Sequence, residues 1–70
     1  MIDSDVKITT EFIKLDQLLK FSGAVVIGSE AKELIFDGKV SVNGEICTMR
    51  GKKIRSGDVV NVMGQDISVS

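Results

Sequence analysis

The chain has no histidine, tryptophan or tyrosine, and its 70 residues include one cysteine and three phenylalanines. Without histidine it lacks the side chain that most often acts as a general base near neutral pH. The single cysteine, Cys47, can form neither an internal disulfide nor a cysteine-based zinc site, which indicates a reduced, cytoplasmic protein. The longest apolar run, Ala24 to Ile27, is far shorter than the ~20 residues of a membrane span. The acidic start, MIDSDVK, is unlike a secretory signal. These absences argue against an enzyme, a metal or cofactor protein, and a membrane protein.

The formal net charge is −1, so total charge alone predicts no anionic partner. The basic residues are nevertheless clustered, because one six-residue segment carries four of them before the next acid, Asp58. Its members are Arg50, Lys52, Lys53 and Arg55. This segment predicts a local surface for a polyanion. The alternative is a solvated loop whose charges protect an edge strand from pairing with another chain.

The first half of the chain predicts one strand and two short helices. We expect an acidic lead over residues 1–6 and a strand over 7–13, where β-branched residues are frequent. Leu15, Leu18 and Leu19 then share one face of a helix that ends near Gly23. AVVIG predicts a buried connection, after which Ser29 is expected to cap a second helix that ends at Gly38.

The second half predicts a meander of strands. Val40 to Val42 alternates, Asn43-Gly44 is a strong signal for a two-residue hairpin turn, and residues 45–48 return. Further strands are expected at 59–62 and 67–69, separated by a turn at 64–66, and the last of them could pair with the N-terminal strand. The predicted fold is α+β, with two short packed helices against a small, mostly antiparallel sheet in one domain over residues 1–70.

Residues 13–62 resemble the α-L RNA-binding motif, the "S-four" domain. The matching frame is a basic residue before Leu-Asp-x-Leu-Leu, a serine at the second helix, Gly-x-Val-x-Val-Asn-Gly, and Gly-Asp-x-Val at the end. The segments GSEAK and RGKK make the chain look like the YaaA-type bacterial proteins, which consist of this domain alone. Two positions depart from the frame: Lys14 replaces the commoner arginine, and Glu30 follows Ser29 where the family often has arginine. Both remove a guanidinium that could bind phosphate in a bidentate manner.

The resemblance implies a non-catalytic protein that docks on structured RNA, with ribosomal RNA or a ribosome-assembly intermediate as the expected partner. Folded RNA is recognised mainly through its shape, phosphates and 2′-hydroxyls, so a suitably spaced set of cations is sufficient. By position, the family's RNA-binding face implies Lys14, Lys20, Ser29 and Lys32, with a phosphate cradle at Ser29. The basic segment adds Arg50, Lys52, Lys53 and Arg55. The lysines could instead be solvated helix charges, Lys20 pairing with Asp16.

Few aromatic side chains are available to stack on unpaired bases, and Phe21 and Phe36 are expected in the core. Structured RNA is therefore favoured over an open single strand. No cofactor, metal, membrane or small-molecule substrate is expected, and the protein is predicted to be a monomer. A protein-interaction adaptor that has lost RNA binding is the second hypothesis, because the chain is slightly acidic overall and lacks the two arginines.

Overall fold

A computed structural model of the protein describes residues 4–70. It contains two helices and seven strands, in the order β1 Ser4–Val6, β2 Ile13–Lys14, α1 Leu15–Phe21, α2 Gly28–Phe36, β3 Val40–Val42, β4 Glu45–Ile46, β5 Lys53–Ile54, β6 Val59–Val62 and β7 Gln65–Val69. Five strands form one sheet in the order β1-β7-β6-β3-β4, and β2 and β5 form a separate two-stranded ribbon. All pairs are antiparallel except β1 with β7. The predicted α+β architecture is confirmed.

The core lies between the two helices and the inner faces of the strands. Leucines of α1 at i, i+3 and i+4 and two residues of α2 at i and i+4 supply the helical half, and alternating β-branched residues supply the other half. The fully buried residues are Leu15, Leu18, Leu19, Ala31, Ile35, Val40, Ile54, Val60, Val62 and Ile67. Burying each large aliphatic side chain contributes about 1.5–3 kcal/mol, so α1 is held mainly by its three leucines.

Glycines end both helices, as predicted. After α2, Gly38 has φ of +74°, and its N–H bonds to the Ile35 carbonyl while the next N–H, of Lys39, reaches Leu34. This pair of bonds is the Schellman arrangement. Gly23 has φ of +85° and closes α1, its N–H donating to the Lys20 carbonyl. The chain therefore turns sharply after each short helix, which lets α1 and α2 pack against each other.

The predicted hairpin is confirmed, and the first residue of its turn is hydrogen-bonded to the start of β6 and to the residue before it. Asn43 and Gly44 both have positive φ, 51° and 88°, as a type I′ turn requires. The Asn43 side chain accepts a hydrogen bond from the Val59 N–H (2.9 Å) and donates one to Asp58 (3.1 Å). The return strand is shorter than expected, since β4 ends at Ile46. At the other end β7 is longer than expected and begins at Gln65 after a turn at Met63-Gly64.

The N-terminal predictions need correction. Residues 7–12 are not a strand; β1 lies earlier, within the segment expected to be an acidic lead without regular structure, and it pairs in parallel with β7. Residues 1–3 of that predicted lead lie outside the described residues. The Ile8 N–H bonds to the Ser70 carbonyl, after which the chain crosses to β2. The strand prediction failed because local composition did not reveal which part of the N-terminal segment meets the free edge of β7.

Four side chains expected to be buried are largely exposed. Phe21 and Phe36 are 71% and 55% exposed, because each is the last residue of its helix and other residues of α1 and α2 fill the core. In the connection between the helices only Val25 is buried, whereas Val26 and Ile27 are 81% and 54% exposed. The core prediction for both phenylalanines was therefore wrong, and this bears directly on what the surface can bind.

Candidate nucleic-acid interface

The two-stranded ribbon brings together two lysines that are 39 positions apart in the chain. Ile13 pairs with Ile54, and Lys14 pairs with Lys53. Ile54 is buried and both lysines are exposed, so the ribbon directs its apolar side to the core and its charges to solvent. Directly opposed residues on one face of an antiparallel pair have Cβ atoms about 4.5–5.5 Å apart, and like charges there repel. An anionic ligand would relieve that repulsion.

The backbone of the basic segment is fixed against the start of α1. The Leu15 N–H donates to the Lys52 carbonyl at 2.9 Å, and the Asp16 N–H donates to the Arg50 carbonyl at 3.1 Å. Two of the N–H groups that a helix N-terminus normally leaves without an intrahelical partner are satisfied in this way. The segment is therefore an anchored part of the fold, and its charged side chains project from a fixed backbone.

Phe12 supports one of the opposed lysines. The Lys53 ammonium lies 5.0 Å from the centre of the Phe12 ring, within the range of a cation–π interaction. Phe12 is half-buried in the loop before β2, so its ring serves as a platform beneath the cation. The contact favours one placement of the flexible Lys53 side chain and keeps its charge next to Lys14.

The four basic side chains of the segment do not all lie on the same side of it. The pKa of Asp58 is lowered mainly by the hydrogen bonds that its carboxylate accepts from the Arg55 backbone N–H (2.8 Å) and from the Asn43 amide. The charges of Lys52 and Arg55 lower this pKa more weakly, and partial burial opposes the shift. Lys52 also lines a groove with the β3–β4 hairpin. Lys52 therefore lies beside the hairpin, Lys52 and Arg55 both lie near the Asp58 carboxylate, and Lys53 lies opposite Lys14. Arg50 lies in the turn that precedes β5, where the Lys52 N–H donates a hydrogen bond to the Met49 carbonyl.

The exposed side of α1 carries Gln17 and Phe21, which lie one helical turn apart at i and i+4. Lys14, which precedes the helix in β2, lines the same groove as these two side chains. Two open grooves meet there, and both are lined by Gln17 and Phe21. One continues to Phe12 and Lys14, and the other to Lys20 and to Gly28 at the start of α2.

Helix α2 separates its charges. Counted at the same angular step, Gly28, Ser29 and Lys32 lie on one side of the buried Ala31, and the acids lie on the other. Glu30, Glu33 and Asp37 line a different groove, next to Lys39 and Met63. Lys32 therefore lies on the side of α2 that Gly28 brings to the groove beside Lys20. The acids of α2 therefore lie on a different side of the helix from Lys32, although the Asp16 carboxylate of α1 lines the groove that Lys20 and Gly28 share.

The cap predicted for α2 was wrong. The helix begins at Gly28 with Ile27 as its N-cap, and Ser29 is an exposed residue within the first turn. The Glu30 carboxylate accepts a weak hydrogen bond (3.4 Å) from the Ile27 N–H, so an acidic group lies at the helix end where a phosphate cradle was expected. Contact between Ser29 and RNA stays a prediction.

The basic surface is defined here as Lys14, Lys20, Lys32, Arg50 and Lys53. All five side chains are exposed. Within residues 4–70, no three side chains of the types that bind metals come together, and neither helix is long and apolar enough to cross a membrane.

Comparison with known proteins decides the family. The family model described as "S4 domain" matches residues 6–70. The chain belongs to the S4 domain family. Over 59 residues it is 39% identical to a Bacillus subtilis (strain 168) protein named "Probable ribosome maturation protein RlbA", and the alignment covers 84% of this chain and 83% of that protein.

In this S4 domain the residues that sequence reasoning missed are Phe12, Gln17 and Phe21. The leucine spacing gave no clear signal for Phe21, because Phe21 lies about 160° around α1 from the buried Leu19 but only about 60° from the buried Leu18. The pairing of β2 with β5 was missed as well. Its signal was weak, a basic–apolar dipeptide in each of two distant segments, Ile13-Lys14 and Lys53-Ile54.

Proposed function

We propose that this S4 domain is a cytoplasmic, non-catalytic RNA-binding protein that docks on structured RNA, either ribosomal RNA or a ribosome-assembly intermediate. Family membership supports RNA as the partner, and the similarity to a protein named for ribosome maturation supports the ribosomal assignment. The observation that carries the proposal is the opposed Lys14–Lys53 pair on a ribbon anchored to α1.

The mechanism is electrostatic docking onto the RNA backbone. Lys14 and Lys53 contact adjacent phosphates, Lys20 and Lys32 extend the contact along the two helices, and Arg50 borders it at the turn. Each phosphate that is neutralised releases condensed counterions, so affinity falls as salt rises. With four of the five cations being lysines, the contacts are mostly single point charges and not bidentate pairs. The resulting affinity is modest and strongly dependent on salt.

Fluorescence anisotropy with a labelled, structured fragment of ribosomal RNA, titrated at several salt concentrations, tests the proposal. We expect a slope of log K against log salt that corresponds to roughly three to six phosphate contacts. Lys53→Glu and Lys32→Glu should each weaken binding and reduce the slope by about 1. The double variant should abolish binding while its circular dichroism spectrum stays that of the folded protein.

Lys39→Glu is the matched control. It makes the same change of charge at an exposed lysine beside Glu30, Glu33 and Asp37, so it should alter binding much less than Lys53→Glu. Equal losses from both variants would show that only net charge matters and would contradict the assigned surface. Absent binding by the wild type at low salt would contradict the function and favour a protein-interaction adaptor, with exposed Val26 and Ile27 as the first surface to test.

A further inference from the structure

Phe21 is an apolar side chain that lines grooves with two residues of the basic surface, Lys14 and Lys20. It is 71% exposed at the end of α1, on the side of the helix that the leucine core leaves free. Solvated lysines account for an ordinary polar helix face, but they do not account for an exposed aromatic ring between them. The ring adds nothing to the docking of phosphates, so it points to a ligand that also carries an apolar face.

The surface on both sides of Phe21 is open. Open grooves lie on both sides of the side chain, one reaching Phe12 and Lys14 and the other reaching Lys20 and Gly28. Gln17 lines both grooves and presents an amide with two donors and one acceptor, the groups that recognise the edge of a base. Lys14 and Lys20 stand on either side, where the phosphates flanking a nucleotide would lie.

We infer that Phe21 is a stacking site for one unpaired base of the bound RNA, with Gln17 at the base edge and Lys14 and Lys20 at the adjoining phosphates. This inference rests on the proposed function and narrows its ligand to a structured RNA that exposes a nucleotide at a bulge or junction. Stacking on an aromatic side chain tolerates any base, because every base presents a π-face. The protein is therefore expected to prefer RNAs in which a base is unpaired and exposed, whichever base that is.

The test compares three short RNA hairpins of equal length: one with a bulged adenosine, one with an abasic residue at the bulge, and one fully paired. Wild-type protein should bind the bulged adenosine most tightly. Phe21→Ala should weaken that complex by roughly 5- to 150-fold, the range that corresponds to losing one stacked base, and leave the other two complexes nearly unchanged. The salt slope should stay the same, because no phosphate contact is removed.

Three variants complete the design. Phe21→Leu keeps apolar bulk and good helix propensity but removes the π-face, so it tests stacking even if the alanine variant loses stability. Phe21→Trp should retain binding, and since the chain has no other tryptophan its fluorescence should be quenched by the bulged RNA and not by the abasic one. Phe36→Ala truncates an exposed phenylalanine that lines neither groove, so this variant should keep the wild-type affinity for each of the three RNAs and the preference for the bulged adenosine.

The outcomes separate the two proposals. Salt-dependent binding of all three hairpins, with Phe21→Ala and Phe21→Leu unchanged on the bulged one, would overturn the stacking site and leave the proposed function intact. An equal loss of affinity for all three RNAs would also overturn the stacking site, because the ring would then contribute to binding whether or not an unpaired base is present. No binding of any hairpin by wild-type protein would overturn both proposals.

Discussion

Asp58 offers the sharpest test of how the hairpin and the basic segment are held together. Its carboxylate accepts the Arg55 N–H at 2.8 Å and the Asn43 amide at 3.1 Å, so Asp58→Ala removes two hydrogen bonds at once. Each contributes about 0.5–1.5 kcal/mol net, and more when the acceptor is charged. Asp58 is only half-buried, so water replaces part of the loss. We expect the free energy of unfolding to fall by about 1–2 kcal/mol, a large share for a domain of this size.

The effect should depend on pH in a defined direction. Because the folded state lowers the pKa of Asp58 below its ordinary value of 3.8, the stabilisation is fully present above that value. It is lost as the pH falls toward the lower, folded-state pKa. The stability difference between wild type and Asp58→Ala should therefore be largest near pH 7 and constant down to about pH 5, then shrink in more acidic solution.

Urea unfolding followed by circular dichroism measures both quantities. With a slope of about 1 kcal/mol per molar urea for a small domain, the midpoint should move by about 1–2 M at pH 7. Asp58→Asn keeps one acceptor oxygen but no charge, so its midpoint should lie between the other two at neutral pH. A difference below about 0.3 kcal/mol, or one that stays constant to pH 3, would refute the assignment of these two hydrogen bonds as a stabilising pair.

Two further predictions concern the helix and the ribbon. Leu18→Ala removes a fully buried side chain of α1 and should cost about 2–5 kcal/mol; thermal unfolding should show a domain near or beyond its stability limit, and a loss below 1 kcal/mol would mean that α1 is not packed as described. Lys14→Gln removes the repulsion with Lys53 and should raise the free energy of unfolding by a few tenths of a kcal/mol at low salt, an effect that disappears in high salt. The same variant should bind RNA more weakly, and parallel changes of stability and affinity would contradict the opposed pair.

The elements that sequence patterns predicted correctly depend on local signals. The helix faces, the two glycine terminators and the Asn43-Gly44 turn each follow from a few neighbouring residues, since φ preferences and helical spacing act over that range. The expected pairing of the last strand with the N-terminal one is confirmed by β1 and β7, although the N-terminal strand lies earlier than predicted. The β2–β5 pairing joins segments that are far apart in the chain, and nothing in either segment alone identifies its partner. For the same reason the strand predicted over residues 7–13 was misplaced.

The basic surface could be predicted only in part. Charge clustering identified the segment over residues 50–55, and the family resemblance supplied Lys14, Lys20 and Lys32, but neither indicated that Lys53 faces Lys14 while Lys52 turns toward the hairpin. That division depends on the alternation of the β2–β5 ribbon around buried Ile54. Phe21 was assigned to the core on the basis of its apolar character, and its position at the border of the leucine face, about 60° from Leu18, did not by itself show that it is exposed.

A slightly acidic chain can present a basic surface because its fold separates the charges at small cost. The backbone of the basic segment satisfies the first N–H groups of α1, so the segment is structural while its side chains stay exposed. Repulsion between Lys14 and Lys53 in solvent costs only a few tenths of a kcal/mol at physiological salt. The two interpretations of the basic segment, as a structural loop and as an RNA contact, are therefore compatible. The backbone of residues 50–55 serves the fold, and the outward side chains remain available for a polyanion.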